Sequence, residues 1–397
     1  MNVAYILNST GLRGGATKAF LNILDGMEQH GVCANVVVPD KNGVYRILKE
    51  RNIKTFVTPY RPCTYPRSRT WSEKLFFPAR LIARVLVNWI ACQKLISYIK
   101  INEINLVHSN TGVVRIGYDA AIKTGIPHVY HIREYGDLDF GINYFPYKAS
   151  FLKQLASPLC YSICITKNIQ RHFRQQDKRT SLVIYDGVFP YKSDFPQTIT
   201  DKGYFLYAGR IEPAKGLEQL LHAYKTYVQR TGAPLHLKVA GSVNDISYYN
   251  QQLSYIKKHR LSQYVHFLGE CDPITTLMHD ARAIVIPSLN EGFGFCMPEA
   301  MQQGCLAVGH NTGGTKEQFD NGLELTGGEI GLRYDTTEEL VKILQDVTVT
   351  PPENYLPYKE RAFRTINQLY TSENNAQLIY NFYNDILNEK NSISDSK

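Results

Sequence analysis

At 397 residues the chain is longer than a single hydrophobic core ordinarily fills, so two domains are expected. Its 44% hydrophobic content is ordinary for a soluble globular protein and excludes a wholly disordered chain, with only Asn388 to Lys397 reading as a short tail. The formal charge of +8 is unevenly placed, with 25 basic against 12 acidic residues in positions 1–190 and 19 against 24 in the rest, so an anionic partner such as a phospholipid surface, a lipid-linked pyrophosphate or a nucleic acid is expected at the first half.

The opening MNVAYILNST runs straight into a strand, with no basic leader and no cleavage pattern, which sets the expectation of a cytoplasmic chain. The eight cysteines have no paired spacing, and Cys160 and Cys164, separated by three residues, lack a second pair to complete a zinc set, so reduced thiols are expected. No uninterrupted apolar run reaches the ~20 residues that cross a bilayer.

In chain order, Val3 to Leu7 is a buried strand, Asn8 to Gly15 a glycine-bearing loop, and Thr17 to Gln29 a helix with Phe20, Ile23, Leu24 and Met27 on one face. The pair Gly14-Gly15 between strand and helix either brings backbone to a phosphate or sugar or simply allows close packing. Ala34 to Val38 and Ile53 to Val57 are further strands.

Arg61 to Lys100 carries Arg61, Arg67, Arg69, Lys74, Arg80, Arg84, Lys94 and Lys100 against one acid, Glu73, interleaved with Trp71, Phe76, Phe77 and Trp89. That composition suits a basic amphipathic stretch lying on an anionic membrane, or a core helix with a solvated face. No nucleic-acid module is recognisable.

Asn105 to His108 and His128 to Ile132 are strands whose ends carry HSNT and HIRE. Parallel sheets place ligands at strand carboxyl ends, so His131, Arg133 and Glu134 fall where chemistry is expected. Asp137-Leu138-Asp139, in a polar loop, has the DxD pattern of some metal sites, but only Glu134 lies near it in sequence and no metal is assigned. Strands at Ser162 to Ile165 and Leu182 to Tyr185 precede a linker at Asp186-Gly187-Val188.

The second half restarts the pattern: strand Tyr204 to Tyr207, loop AGRIEPAKG, helix from Leu217, and strands at Leu235 to Ala240 and Val265 to Leu268. Arg210 offers a planar fork and Lys215 a point charge, a combination suited to a diphosphate. Ala283 to Gly314 is a strand, Gly-rich loop, helix and strand, with Pro298 expected at the first helical position and a helix near Lys316. Glu291 and Glu299 bracket the loop. Backbone N–H groups at a helix start favour an anion, and Glu299 can accept from ribose hydroxyls; alternatively the glycines form a tight turn and Glu299 satisfies the helix dipole. Helices at Glu353 to Thr371 and Asn374 to Asn388 close the chain.

YAGRIEPAKG, IPSLNEGFGFCMPEAMQQG and HNTGGTKE together resemble the donor domain of GT-B glycosyltransferases of the family 4 type, and NSTGLRGGATK, HVYHIRE and VIYDGV resemble that family's first-domain and linker signatures. The resemblance implies an α/β fold of two facing Rossmann-like, doubly wound domains: an acceptor-side domain at 1–190, a nucleotide-sugar donor domain at 191–373, and a helix from 374 returning to the first. It implies retaining, metal-independent transfer of a hexose or N-acetylhexosamine from a nucleoside diphosphate sugar, UDP more readily than GDP, with no further cofactor. The donor motifs together with the basic first half lead to the expectation of a saccharide acceptor, lipid-linked or soluble, in surface polysaccharide synthesis.

Carried over by residue, Arg210, Lys215, Gly294 and Phe295 would hold the diphosphate, with Gly14 and Gly15 joining them from the acceptor side. Glu299 would hold the ribose, and Gly292 and Phe293 would meet the donor sugar. Glu291 and His131 would flank the reacting centre. Ala16-Thr17-Lys18 stands where the family often has an acid and an arginine, and Asp186 replaces a common asparagine, a change expected to be tolerated in a hinge. The rival readings are a nucleotide-sugar epimerase or phosphorylase on the same scaffold and a non-catalytic glycan- or nucleotide-binding subunit.

Overall fold

The computed structural model describes residues 1–12, 14–66, 71–196 and 200–395. It comprises two compact units, Met1–Gly187 with Ser372–Lys397, and Val188–Thr371. Arg13, Arg67 and Arg69 lie outside the described residues.

The first unit is built on seven strands, β1 (Asn2–Ile6), β2 (Cys33–Val38), β3 (Lys54–Val57), β4 (Leu106–Ser109), β5 (His128–Ile132), β6 (Cys160–Cys164) and β7 (Ser181–Val183), in the order β3-β2-β1-β4-β5-β6-β7 with every pairing parallel. Runs such as NVAYI and CYSIC are apolar without alternation because helices cover both faces of a parallel sheet. The order reverses at β1 and β4, and the loops leaving those two strands diverge there, which opens a crevice at their carboxyl ends.

The helix Gly15–Gln29 buries Phe20, Ile23, Leu24 and Met27. It also packs on the final helix, Ser372–Asp395, which contributes Ala376, Ile379, Phe382, Tyr383 and Ile386 to the same core at helical spacing. That final helix extends beyond the expected Asn388, through residues that read as tail. The contact is close: a Cβ on Gly26 would lie 2.2 Å from the Ala376 Cβ.

The basic stretch resolves into short helix Trp71–Leu75 and long helix Phe77–Ile101. The latter is long and apolar enough, by length and composition, to cross a membrane, which a search for an uninterrupted apolar run misses because Arg80, Arg84 and Asn88 break the run. Its last third buries Ala91, Cys92, Leu95 and Ile99, packs on the helix Ile116–Thr124 and leads into β4, so that end is committed to the sheet. Asp137–Phe140 is a short helix where the sequence reads as a loop. Asp139 caps it, accepting from Tyr135 N at 2.9 Å and Gly136 N at 2.7 Å.

The second unit has six strands, β8 (Tyr204–Ala208), β9 (His236–Ala240), β10 (Val265–Gly269), β11 (Ala283–Ile286), β12 (Ala307–His310) and β13 (Leu332–Tyr334), in the parallel order β10-β9-β8-β11-β12-β13. Here the reversal falls between β8 and β11, the strands that carry the two motif loops. The helix after β11 spans Cys296–Gln302, so Pro298 is its third residue and not its first. Met297 N closes on Gly294 O and Glu299 N on Phe295 O, so the helix starts two residues early, and a proline still within the first turn gives up no intrahelical bond. The next helix, Gly313–Thr326, likewise starts before Lys316.

Because the Gly26 approach leaves no room for a methyl group, Gly26→Ala is expected to lower stability by about 1–3 kcal/mol. Ala376→Gly in the same chain should recover part of the loss, read as melting temperature. A Gly26→Ala protein that melts with the wild type would contradict this packing.

Candidate functional site

Three loops meet at the carboxyl ends of β8, β11 and β12. After β8, Gly209 N bonds Ala240 O, Tyr207 Oη donates to Arg210 O at 2.9 Å, and a 3-10 turn, Pro213–Lys215, ends at Gly216. Gly216 has φ +71°, and a Cβ there would lie 1.9 Å from Pro287 O, so only glycine lets this loop press on the one after β11. Leu289 N then donates to Ala214 O at 3.2 Å and joins the two loops. After β12, Gly314 N donates to Glu291 O at 2.7 Å, and a Cβ on Gly314 would lie 2.7 Å from both Gly292 O and Phe293 O.

This packing brings Lys215 Nζ to 2.8 Å and 2.9 Å from the two Glu291 oxygens, in a pair that is mostly buried. Burial works to lower the Lys215 pKa, but the adjacent Glu291 carboxylate overrides it and the net shift is upward, so the ammonium stays charged. The Cys296 thiol beside them is pushed up to about 12, by burial first and the Glu291 charge second. Arg210 pairs with Glu212 at 2.9 Å. Glu299 lies in the first turn of Cys296–Gln302 and is half-buried.

Phe293 is buried, stacked edge-on against Tyr370 and Phe295. Gln318 holds the carbonyls of Phe293 and Gly294, and Asn321 donates to Tyr370 Oη at 3.0 Å. Arg210, Lys215, Glu291, Gly292, Phe293, Gly294, Phe295 and Glu299 therefore share one set of loops within the second unit. Gln318 and Tyr370, which shape that set, carry no local sequence signal, because each acts across about 25 residues or more of chain.

The first unit holds Gly14, Gly15 and His131. Gly14 caps the helix Gly15–Gln29 in extended conformation at φ −85°, and a Cβ there would meet only Thr17 Oγ1, at 3.9 Å, so the fold itself does not demand glycine at that position. His131, at the end of β5, is fully buried in a polar network. Tyr383 Oη lies 2.6 Å from His108 Nδ1, His108 Nε2 is 3.2 Å from His131 Nδ1, and Arg133 donates to that same Nδ1 at 3.1 Å. Those donors are consistent with His131 carrying its proton on Nε2, which is 3.7 Å from Asp186 Oδ1. Burial, then the Arg133 charge, then His108 drive the His131 pKa well below its ordinary value, so the ring is neutral.

Burial also pushes Arg133 down to about 9, which leaves it charged at neutral pH. It pairs with Asp186 and donates to Asn110 O at 3.2 Å. Asp186 is thus a buried counter-ion for Arg133. Asp137, in the DxD pattern, pairs with Lys148 and His172 at 2.8 Å each.

Glu134 accepts from Gly112 N at 3.1 Å, and its carboxyl is pushed up to about 8 by burial and then by Asp139, against the pull of Arg133. The folded chain keeps a proton that the unfolded carboxyl releases above about pH 4.3. The stabilising contribution of Glu134 is therefore complete below that pH and is lost as pH rises through about 8. Glu134→Gln keeps an oxygen for Gly112 and is expected to flatten the decline of melting temperature across this window. An unchanged slope would contradict the assignment.

Residues 192–348 match the family model described as glycosyl transferases group 1. The chain is 36% identical over 124 residues to the uncharacterized glycosyltransferase YqgM of Bacillus subtilis, covering 31% of this chain and 33% of that protein. It is 32% identical over 146 residues to glycogen synthase of Mycobacterium tuberculosis, covering 35% of this chain and 34% of that one. The chain spans about half or less of the length of these curated relatives. Among solved structures, Anabaena Alr3699/HepE in complex with UDP superposes with a TM-score of 0.72 at 18% identity, over 97% of this chain and 100% of that one. TarM superposes at 0.70 and 13% identity, over 96% and 98%. Likeness at such identity is one of fold. The match to the glycosyl transferases group 1 model thus falls within the second unit of a chain that has the two-domain α/β GT-B fold.

Proposed function

We propose that the chain is a retaining, metal-independent glycosyltransferase. In this reading it moves a hexose or N-acetylhexosamine from a nucleoside diphosphate sugar, UDP more readily than GDP, to a lipid-linked saccharide in surface polysaccharide synthesis. It works in the cytoplasm, at the inner face of the membrane. The observation that carries the reading is the contact of Lys215 with Glu291 at the strand-order reversal of the second sheet, with Arg210 in the same loop.

A diphosphate offers Lys215 a second anion. As the bond to the sugar breaks, charge grows on the phosphate oxygens, and Arg210 and Lys215 stabilise it without a proton having to be supplied. Glu291, released from part of its hold on Lys215, can accept hydrogen bonds from sugar hydroxyls, and Glu299 from the ribose diol. The glycines at 292 and 294 keep the loop between them free of side chains other than Phe293, which is turned into the core. His131, held neutral, can offer an N–H but no charge. In retention the acceptor oxygen attacks from the face that the diphosphate leaves, and a departing phosphate oxygen takes its proton.

The test is transfer from UDP- and GDP-sugars to lipid-linked saccharide acceptors, with the anomeric configuration of the product read by NMR. Retained configuration and rates unaffected by a chelator are expected. Arg210→Ala and Lys215→Ala should each slow turnover about 100-fold or more, and Glu299→Ala should weaken UDP binding about 10- to 100-fold. UDP binding without turnover would favour the non-catalytic subunit, an altered sugar nucleotide without acceptor the epimerase, and full UDP affinity in Glu299→Ala would remove the ribose role.

A further inference from the structure

The long helix Phe77–Ile101 divides into two parts with different surroundings. Its C-terminal third is packed into the first unit, but its N-terminal half turns Ile82, Leu86, Trp89 and Ile90 outward at three- and four-residue spacing. Trp71 and Phe76 continue the apolar surface just ahead of it. Trp71 is 78% exposed, Phe76 60%, Leu86 54% and Trp89 59%. Aromatic and branched side chains contiguous at this exposure are unusual on a surface that meets only water.

The charges beside this face have one dominant sign. Lys74 and Lys94 are exposed on the same two helices, while Arg84 lies on the other side of the long helix, where it donates to the carbonyls of Pro62 and Thr64. Asn88, midway along the long helix, accepts from Arg61 N at 2.8 Å and donates to Arg61 O at 3.0 Å, which ties that side of the helix to the backbone at Arg61. Glu73 is the acid of the stretch.

This pattern selects the occupant. A second copy seated on the face by a two-fold axis would bring the exposed Lys74 and Lys94 of one copy against a partner surface of the same sign, a like-charge cost across the interface. Against a bilayer spanned by the helix stands its C-terminal third, which packs on the helix Ile116–Thr124 and leads into β4. An anionic bilayer surface satisfies both features, with the apolar side chains entering the boundary by about 5–10 Å and the basic residues meeting the headgroups.

We propose that the surface formed by Trp71, Phe76, Ile82, Leu86, Trp89 and Ile90 is an in-plane insertion face that seats the first unit on an anionic membrane. The inference deepens the reading of a lipid-linked acceptor by naming the surface that meets the acceptor's membrane, and its test reads lipid contact without turnover.

The chain has two tryptophans, and both, Trp71 and Trp89, are on this face, so tryptophan fluorescence reports on it alone. With vesicles containing phosphatidylglycerol, the emission is expected to shift to the blue and acrylamide quenching to fall severalfold. Phosphatidylcholine alone should give a much smaller change, and added salt should weaken the effect. Lys74→Ala should lower partitioning about fivefold, and Leu86→Asp more than about tenfold. The melting curve and UDP-induced thermal shift of Leu86→Asp should match the wild type, which shows that it folds. Unchanged emission and quenching with anionic vesicles would overturn the proposal. So would a dimer in light scattering with tryptophans already shielded from acrylamide in the absence of lipid. Vesicle binding with no UDP-induced shift in the wild type would leave this surface standing and remove only the donor reading.

Discussion

The second unit depends on the contact between Lys215 and Glu291. Neither residue is near the other in sequence, and the contact exists because three backbone loops pack without side chains between them. Gly216 lies against Pro287, Gly314 against Gly292 and Phe293, and Gly313 against the Glu291 backbone. A buried ion pair is weak evidence for stability, since desolvating two ions offsets much of their attraction. What the pair supplies is position: an ammonium and a carboxyl group held together at the reversal of strand order, where an α/β sheet leaves room for a ligand. A diphosphate sugar carries the complementary groups, anionic oxygens for Lys215 and Arg210 and hydroxyls for Glu291.

The first unit uses buried polarity differently. Arg133 and Asp186 form an ion pair, and around it Tyr383, His108, His131 and Asn110 connect the ends of β4 and β5 to the final helix through hydrogen bonds. Burial removes charge from both histidines while Arg133 keeps its own. The result is a neutral imidazole fixed in one orientation, whose roles are limited to hydrogen bonding and shape. Tyr383 reaches His108 because the final helix packs against Gly26, so a backbone contact elsewhere on that helix helps to set the chemistry of this network.

The strands are legible in the sequence because parallel sheets covered by helices bury both faces: NVAYI, CANVVV and AIVI read as strands from composition alone, to within a residue or two of their ends. The loops of the candidate site are legible for a related reason, since glycines and charged residues at strand ends stand out against apolar runs. Helix starts read late, at Pro298 and Lys316, because Gly-rich first turns look like loop until the backbone bonds at Gly294, Phe295 and Thr312 are seen. Asp186, Gln318, Tyr370 and Tyr383 have no role that sequence alone reveals, because each acts through a partner far along the chain. The exposed half of Phe77–Ile101 is visible as composition, but which side chains face outward depends on how the other end of the helix is packed.

The most direct measurement of the central claim is amide hydrogen exchange with and without UDP. Slowed exchange is expected in Gly209–Gly216 and Glu291–Glu299, the loops joined by Lys215 and Glu291, with no change in Phe77–Ile101. UDP that binds and leaves both loops unprotected would contradict the assignment of the donor site to this pair.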